Sequence, residues 1–339
     1  MTLFLVYPGK RGSNLECALA LYSIAKELGA DTKLILSADN ERKQKVAQLY
    51  PEVEFHNFFS PSDMLGLKKI MKDQTALFTM YSPKMIPFFL SLKANKLFYF
   101  HATYDSSFSQ KGLGLEMENL AHDIIIKNST LTLATQHLLA WQIKERLNKK
   151  AEMLQHPSYA SIKPAFFSED EYVPLPFKRF LITFGDLTRP SKGAKLLSDA
   201  VKGTAFNTVF AGKQNNLEGG FHLDRWLSDG ELYNLLKRAS CTALPYLIPS
   251  LFSGCLALSF HFHKPVLAPF TPAFENLIEE NKTGWFFTSG DVVSLKETIS
   301  KIWEGKKKFS PSAIETKEKE MDGNKKTKLK ELLERFGEM

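Results

Sequence analysis

Short apolar runs alternate with longer amphipathic stretches from the first residues onward. The runs TLFLVYP, TKLIL, VEFHNF, TALFTMY, KLFYFHA and TLTLATQ are too short for helices and stop at turn residues, so they predict strands. Between them LECALALYSIAKELGA, DMLGLKKIMKD and GLEMENLAHDIII show helical spacing, the first stopping at Gly29. This alternation predicts an open, doubly wound α/β sheet. From His156 to Lys178 the periodicity fails, in a stretch with four prolines, an acidic patch and scattered aromatics. Alternation restarts with RFLITFG and continues through AKLLSDAVKG, NTVFAG, GELYNLLKRA, CTALPY, a helix after Ser253, PVLA and SLKETISKIWEG.

The predicted organisation is a Rossmann-like domain over 1–160, a linker over 161–178 and a second α/β domain over 179–304. Over 305–339 the composition turns lysine- and glutamate-rich, with Leu329, Leu332, Leu333 and Phe336 as a sparse apolar stripe. A terminal helix docked back on the body and a solvated charged tail both fit that pattern. Two such domains are expected to face each other across a cleft at the C-terminal edges of their sheets, where α/β folds bind ligands.

Composition narrows the classes. A chain of 339 residues, 44% hydrophobic and 24% charged, excludes disordered, collagen-like and disulfide-scaffold proteins. The net charge of +7 is a small basic excess among many acids, which favours an anionic small molecule or an acidic membrane surface over nucleic acid. Three widely spaced cysteines, Cys17, Cys241 and Cys255, suit a reducing compartment. The opening MTLFLVYPGKRG carries its basic residues after the apolar run, the reverse of a secretory leader, so a cytoplasmic location is expected. Ala239 to Phe260 carries no charge and is long enough to span a bilayer, but Pro245, Pro249 and Gly254 divide it into a strand, a loop and a helix.

Chemistry concentrates in the second half. Ser253-Gly254-Cys255 opens a helix after the LPY strand, and free N–H groups at such an end bind a diphosphate well; by itself an ordinary Ser-Gly cap is the plainer reading. The loop GDLTRPSKG supplies Arg189 and Lys192. Asp-x-Asp is absent from the sequence, and His261 and His263 lie two apart, on different faces of a helix, so no metal site is expected. In the first half His101 ends a strand and is followed by Tyr104 and Asp105. Gly12, Ser13 and Asn14 form the first strand-to-helix loop, which lacks the third glycine of a dinucleotide fingerprint and suits an acceptor or a phosphate better than NAD. Glu231 opens a helix, where stabilising the dipole and reading a nucleotide are equally open roles.

The order FGDLTRPSKGAKLL, VFAG, GELYNLLKRA, LPY, SGCLAL, KPVLA and NKTGWFF followed by SGD resembles the C-terminal half of retaining glycosyltransferase family 4, whose members have the GT-B fold. Weaker likeness at GKRGSN, YFHATYD and LQHPSY extends the resemblance along most of the chain. It implies transfer of a sugar from a nucleotide-diphosphate donor to a hydroxyl of a glycan or lipid-linked acceptor, with retention and without metal. It also implies donor contacts at Gly185, Gly212, Tyr246, Ser253, Gly254, Cys255 and Glu231, a phosphate-stabilising Lys192, and acceptor or sugar contacts near His101, Tyr104, Asp105, Gly12, Ser13 and Asn14.

The departures are specific. Asp186 stands where the family has an Arg, so Arg189 is expected to supply that charge. Ser250, Leu258 and Ser259 occupy the region of the family's paired glutamates, as in the branch whose helix begins Ser-Gly. His263 replaces the glycine before Lys-Pro and must adopt a left-handed conformation to end the helix. Two other readings stay open: a nucleotide-sugar epimerase on the same fold and a binding protein that has lost transfer. Finally, lysines stand among aromatics in FFSPSDMLGLKKIMKD and YSPKMIPFFLSLKANKLFYF. A peripheral contact with an anionic membrane fits this pattern, and so do two core-facing helices with solvated lysines.

Overall fold

The computed structural model describes residues 2–10, 14–80, 83–100, 113–156, 158–214, 216–248 and 253–337. The chain divides into two units, Met1–Phe166 with Met321–Met339, and Phe167–Glu320.

The first unit runs β1 (Leu3–Tyr7), α1 (Asn14–Glu27), β2 (Thr32–Ser37), α2 (Lys43–Leu49), β3 (Glu54–His56), α3 (Pro61–Ile70), β4 (Thr75–Phe78), α4 (Ile86–Ser91), β5 (Asn95–Phe100), α5 (Leu113–Asn128), β6 (Leu131–Ala134), α6 (His137–Leu147) and β7 (Ala151–Met153). Its parallel sheet has the order β3-β2-β1-β4-β5-β6-β7. The strands are nearly continuous apolar runs because both faces are covered. On one face Phe4, Val6, Ile35, Ala76, Phe78, Phe98, Phe100 and Ala134 form a single core with Leu67 of α3 and Met71 just after it, Phe88 and Phe89 of α4, Ile125 and Ile126 of α5, and Leu139 and Ile143 of α6. The period of two along each strand sends the intervening residues, such as Leu5, Leu34 and Tyr99, to the opposite face.

The aromatics of the two lysine-bearing stretches are thereby placed. Phe58, Phe88, Phe89, Phe98 and Phe100 are buried, and Phe59 is the exposed exception. The phenylalanines build the core; they do not stud the surface.

The second unit runs β8 (Leu181–Phe184), α7 (Ala194–Val201), β9 (Thr208–Ala211), β10 (Phe221–Leu223), α8 (Asp229–Arg238), β11 (Cys241–Ala243), α9 (Gly254–His261), β12 (Val266–Pro269), α10 (Pro272–Glu275), β13 (Gly284–Phe287), α11 (Val292–Trp303) and the start of α12 (Pro311–Phe336). Its sheet is also parallel, in the order β10-β9-β8-β11-β12-β13. The apolar pattern does not predict β7, β10 or β13. Each is an edge strand of three or four residues, too short to show a period.

From Met321 onward α12 belongs to the first unit. There Leu329, Leu332 and Leu333 are buried, Asp322 accepts a hydrogen bond from Ser158 Oγ at 2.6 Å, and Arg335 pairs with Glu152 at 2.7 Å. The charge-free stretch from Ala239 holds β11 and α9. No helix among the described residues is long and apolar enough to cross a membrane.

Candidate active site

In the second sheet the strand order reverses direction between β8 and β11. Crossovers leave such a point on opposite faces, so a gap opens at the C-terminal ends of these two strands. Two glycines draw backbone tightly together around it. Gly212 has φ +138°, and a Cβ there would lie 1.9 Å from the Gly185 carbonyl oxygen. Gly193 has φ +66°, and its Cβ would lie 1.7 Å from the Pro245 carbonyl oxygen. No side chain fits at either position. The loop after β8 is tied to the loop after β11 by Leu247 N–H donating to Ser191 O at 3.0 Å.

Lys192 is carried into this gap by a single 3₁₀ turn, Pro190–Lys192, that ends on left-handed Gly193. Its side chain is only 9% exposed. The ammonium donates to Tyr246 Oη at 2.6 Å, lies 4.4 Å from the centre of the Tyr246 ring and stands 3.7 Å from Cys255 Sγ. Among the described residues no carboxylate pairs with it. Burial pulls its proton affinity below the ordinary lysine range; the neighbouring Cys255 and, more weakly, the Asp186 carboxylate oppose that shift, and Arg189 adds to it.

Tyr246 is fully buried, and burial holds its phenol in the neutral form. Its hydroxyl also hydrogen-bonds Ser253 Oγ, which caps α9 by accepting from Cys255 N–H at 3.1 Å. Cys255 Sγ reaches the Phe184 carbonyl oxygen at the end of β8, at 3.8 Å. The Ser191 hydroxyl is buried and has no hydrogen-bond partner among the described residues. Lys192, Tyr246, Ser253 and Cys255, separated by up to 63 positions, thus form one cluster at the N-terminus of α9. With no acid in its first turn, α9 presents an anion-binding end flanked by a buried cation.

The remaining expected residues separate clearly. Arg189 precedes the 3₁₀ turn and is half-buried, with its charge felt at both Lys192 and Tyr246. Asp186 folds back on its own loop, accepting from Thr188 Oγ1 at 2.6 Å and Thr188 N–H at 3.3 Å. Glu231 completes a capping box with Ser228 and is gripped bidentately by Arg225, so both carboxylate oxygens are occupied. His263 has φ +55° and ends α9 by donating its N–H to Phe260 O at 2.8 Å, as the missing glycine requires. Leu258 is buried, and Ser259 Oγ bonds Thr242 Oγ1 at 2.9 Å and the Cys255 carbonyl at 2.6 Å. His261 lies against Phe167 and 3.4 Å from Glu318. Asn14 begins α1, whereas Gly12, Ser13, His101, Tyr104, Asp105 and Ser250 lie outside the described residues.

Sequence reasoning missed a buried carboxylate paired with a half-buried arginine at the corresponding reversal of the first sheet, between β1 and β4. Glu16, in the first turn of α1, is 3% exposed and pairs with Arg42. Its other oxygen, Oε2, is buried with no hydrogen-bond partner among the described residues. Near it the Tyr7 phenol is held neutral by burial and by the Glu16 charge. A charged residue inside the otherwise apolar LECALALY was the available signal.

No protein-family model matches the sequence, and no curated protein is significantly similar to it in sequence. Solved structures do resemble it. HepE from Anabaena, crystallised with UDP and glucose, is 14% identical, with a TM-score of 0.69 over 99% of this chain and 100% of that one. A glycosyltransferase from Rickettsia africae is 14% identical, with a TM-score of 0.62 over 99% and 97%. Sucrose-phosphate synthase from Thermosynechococcus elongatus is 10% identical, with a TM-score of 0.67 over 99% and 98%. The chain therefore has the GT-B fold, with parallel sheets of seven and six strands.

Proposed function

We propose that the protein is a glycosyltransferase that moves a sugar from a nucleotide-diphosphate donor to a hydroxyl of a glycan or lipid-linked acceptor, with retention and without a metal. The observation that carries this reading is the Lys192 ammonium, buried, without an ion-pair contact to a carboxylate among the described residues and set beside the N-terminus of α9. A cation kept in that state costs stability unless an anion arrives to meet it. The complexes of HepE with UDP and with UDP-glucose, on the same fold, support a nucleotide-sugar as that anion.

The chemistry follows from the charge. As the bond from the sugar C1 to the β-phosphate oxygen breaks, negative charge grows on the phosphate, and Lys192, Arg189 and the positive end of the α9 dipole stabilise it. The acceptor oxygen bonds to C1 on the face the phosphate leaves, and its proton passes to the departing phosphate oxygen. No protein nucleophile is required. Positioning and phosphate stabilisation supply the rate enhancement.

A second reading, a nucleotide-binding protein without transfer, is favoured by Asp186 in place of the expected arginine and by Leu258 and Ser259 in place of glutamates. Incubation with UDP-glucose and other nucleotide-sugars separates these readings. Release of nucleoside diphosphate, accelerated by a glycan acceptor, is the expected result. Donor that binds and is never cleaved would sink the transferase reading, and conversion of the donor to an isomer without release would replace it with epimerisation.

A further inference from the structure

Two of the three cysteines are sealed in the interior: Cys17 on α1 and Cys241 on β11 are each 0% exposed. Cys255, in the first turn of α9, is half-buried and belongs to the Lys192 cluster, yet the transfer chemistry gives its thiol no part. Its Sγ stands 3.7 Å from the Lys192 ammonium and 3.8 Å from the Phe184 carbonyl oxygen. Open space adjoins the sulfur. Leaving chain neighbours aside, a Cβ built on Gly185 just after β8 would meet a single described atom within 4 Å, Cys255 Sγ at 4.0 Å. At Gly193 and Gly212 the same construction runs into backbone, so of these three positions only the one over the thiol has room. Charge that attracts an anion lies beside that room. Lys192 is buried and makes no ion-pair contact with a carboxylate among the described residues, and the Ser191 hydroxyl on the same turn is 8% exposed with no hydrogen-bond partner among them.

We infer that Cys255 is an oxidisable thiol of the anion site, and that its conversion to the sulfenic acid by a hydroperoxide closes the site to a diphosphate. The inference rests on the reading of this site as a diphosphate receptor. In the reaction Sγ bonds to one peroxide oxygen and the O–O bond breaks, its electron pair going to the other oxygen. That oxygen takes the thiol proton and leaves as an alcohol or, from hydrogen peroxide, as water. Sulfur is oxidised and the peroxide reduced. Lys192 stabilises the negative charge that passes from sulfur to the departing oxygen. The oxygen left on sulfur occupies the room beside Gly185, within reach of the ammonium, so the protein then carries a polar group of its own where a phosphate oxygen would bind. The change is reversible. A small thiol condenses with the sulfenic acid to a mixed disulfide and water, and a second thiol releases Cys255 by exchange.

The test treats the full chain with hydrogen peroxide, traps sulfenic acid with dimedone, locates the adduct by peptide mass spectrometry and titrates untrapped samples with UDP by calorimetry. Trapping is expected at Cys255, with Cys17 and Cys241 unmodified. Saturating UDP should slow it about tenfold, uridine should leave it unchanged, and Lys192→Met should slow it about tenfold. Peroxide treatment should weaken UDP binding about tenfold or more, and dithiothreitol should restore it. Cys255→Ser is compared with itself: whatever its starting affinity for UDP, peroxide should leave that affinity unchanged. Trapping at Cys17 or Cys241 in place of Cys255, the same loss of binding in Cys255→Ser, or UDP binding that survives full oxidation of Cys255 overturns this inference alone. An untreated protein that does not bind UDP defeats the diphosphate reading, and this inference with it.

Discussion

At the β8/β11 reversal the buried charge is the Lys192 ammonium, whose nearest partners are a phenol and a thiol; at the β1/β4 reversal it is the Glu16 carboxylate, gripped by Arg42. Topology builds the same gap in both sheets, and the residues that follow the strands decide its polarity. The helix ends make the contrast sharper. At α1 the protein supplies its own anion, Glu16, in the first turn, whereas α9 has no acid there and carries a serine cap. One positive helix end carries an acid of its own, and the other carries none.

The largest way to break this comparison acts on the backbone. Gly193→Ala would drive a Cβ into the Pro245 carbonyl at a positive φ and should cost about 3–5 kcal/mol of stability, read by denaturant unfolding. Gly9→Ala, at the first reversal, meets the Tyr7 and Met80 side chains, which can shift, and should cost about 1–3 kcal/mol. Equal costs would show that the second gap is no more tightly built than the first.

Next in size is the charge itself. Lys192→Met should lower turnover about 100-fold or more, because the lost interaction acts mainly on the departing phosphate. The same change should raise stability at neutral pH by roughly 1 kcal/mol, since it replaces a buried, unmatched cation with an apolar side chain. Arg42→Met should do the reverse, destabilising the fold by about 2–3 kcal/mol by stranding Glu16, while nucleoside diphosphate binding is retained. Thermal unfolding of both variants against wild type checks the opposed signs, and a shared sign would remove the contrast. Ser253→Ala, which deletes one cap, should cost only about 1 kcal/mol.

pH sharpens the same point. The folded-state proton affinity of Lys192 is depressed, so between its folded and unfolded pKa values the unfolded chain holds more protons. Its contribution to stability is therefore unfavourable at neutral pH and recovers as pH rises through that window. Diphosphate affinity should move oppositely, falling as pH rises and falling before the ordinary lysine range is reached. Titrations across alkaline pH that show no such fall for wild type, or the same fall for Lys192→Met, would deny Lys192 its role.

The sequence made the sheets legible wherever a strand was central, because burial on both faces writes an unbroken apolar run such as TLFLVYP or RFLITFG. Edge strands β7, β10 and β13 left no such mark. Local features of the site were readable too: the Ser253 cap lies beside the glycine it serves, and Lys192 lies beside Gly193. Their convergence was not. The contacts of Lys192 with Tyr246 and Cys255 join positions 54 and 63 apart, and only the sheet order brings them together. Glu231 illustrates a role that the sequence left open. Its place at a helix start fits both a cap and a nucleotide contact, and Arg225, which occupies its carboxylate, carries no signal in the local pattern. The phenylalanines around Lys68 and Lys93 read as surface or core with equal ease, because composition records which residues are near in sequence and not which way a helix turns them.

The central claim is that the α9 end and Lys192 form a receptor for the diphosphate of a nucleotide. Calorimetric titration of wild type and Lys192→Met with UDP and with uridine tests it most directly. The account predicts UDP binding at least about 100-fold tighter than uridine in wild type, most of that difference being lost in the variant while uridine binding stays the same. Equal affinity for UDP and uridine in wild type, or a preference for UDP that survives Lys192→Met intact, would contradict it.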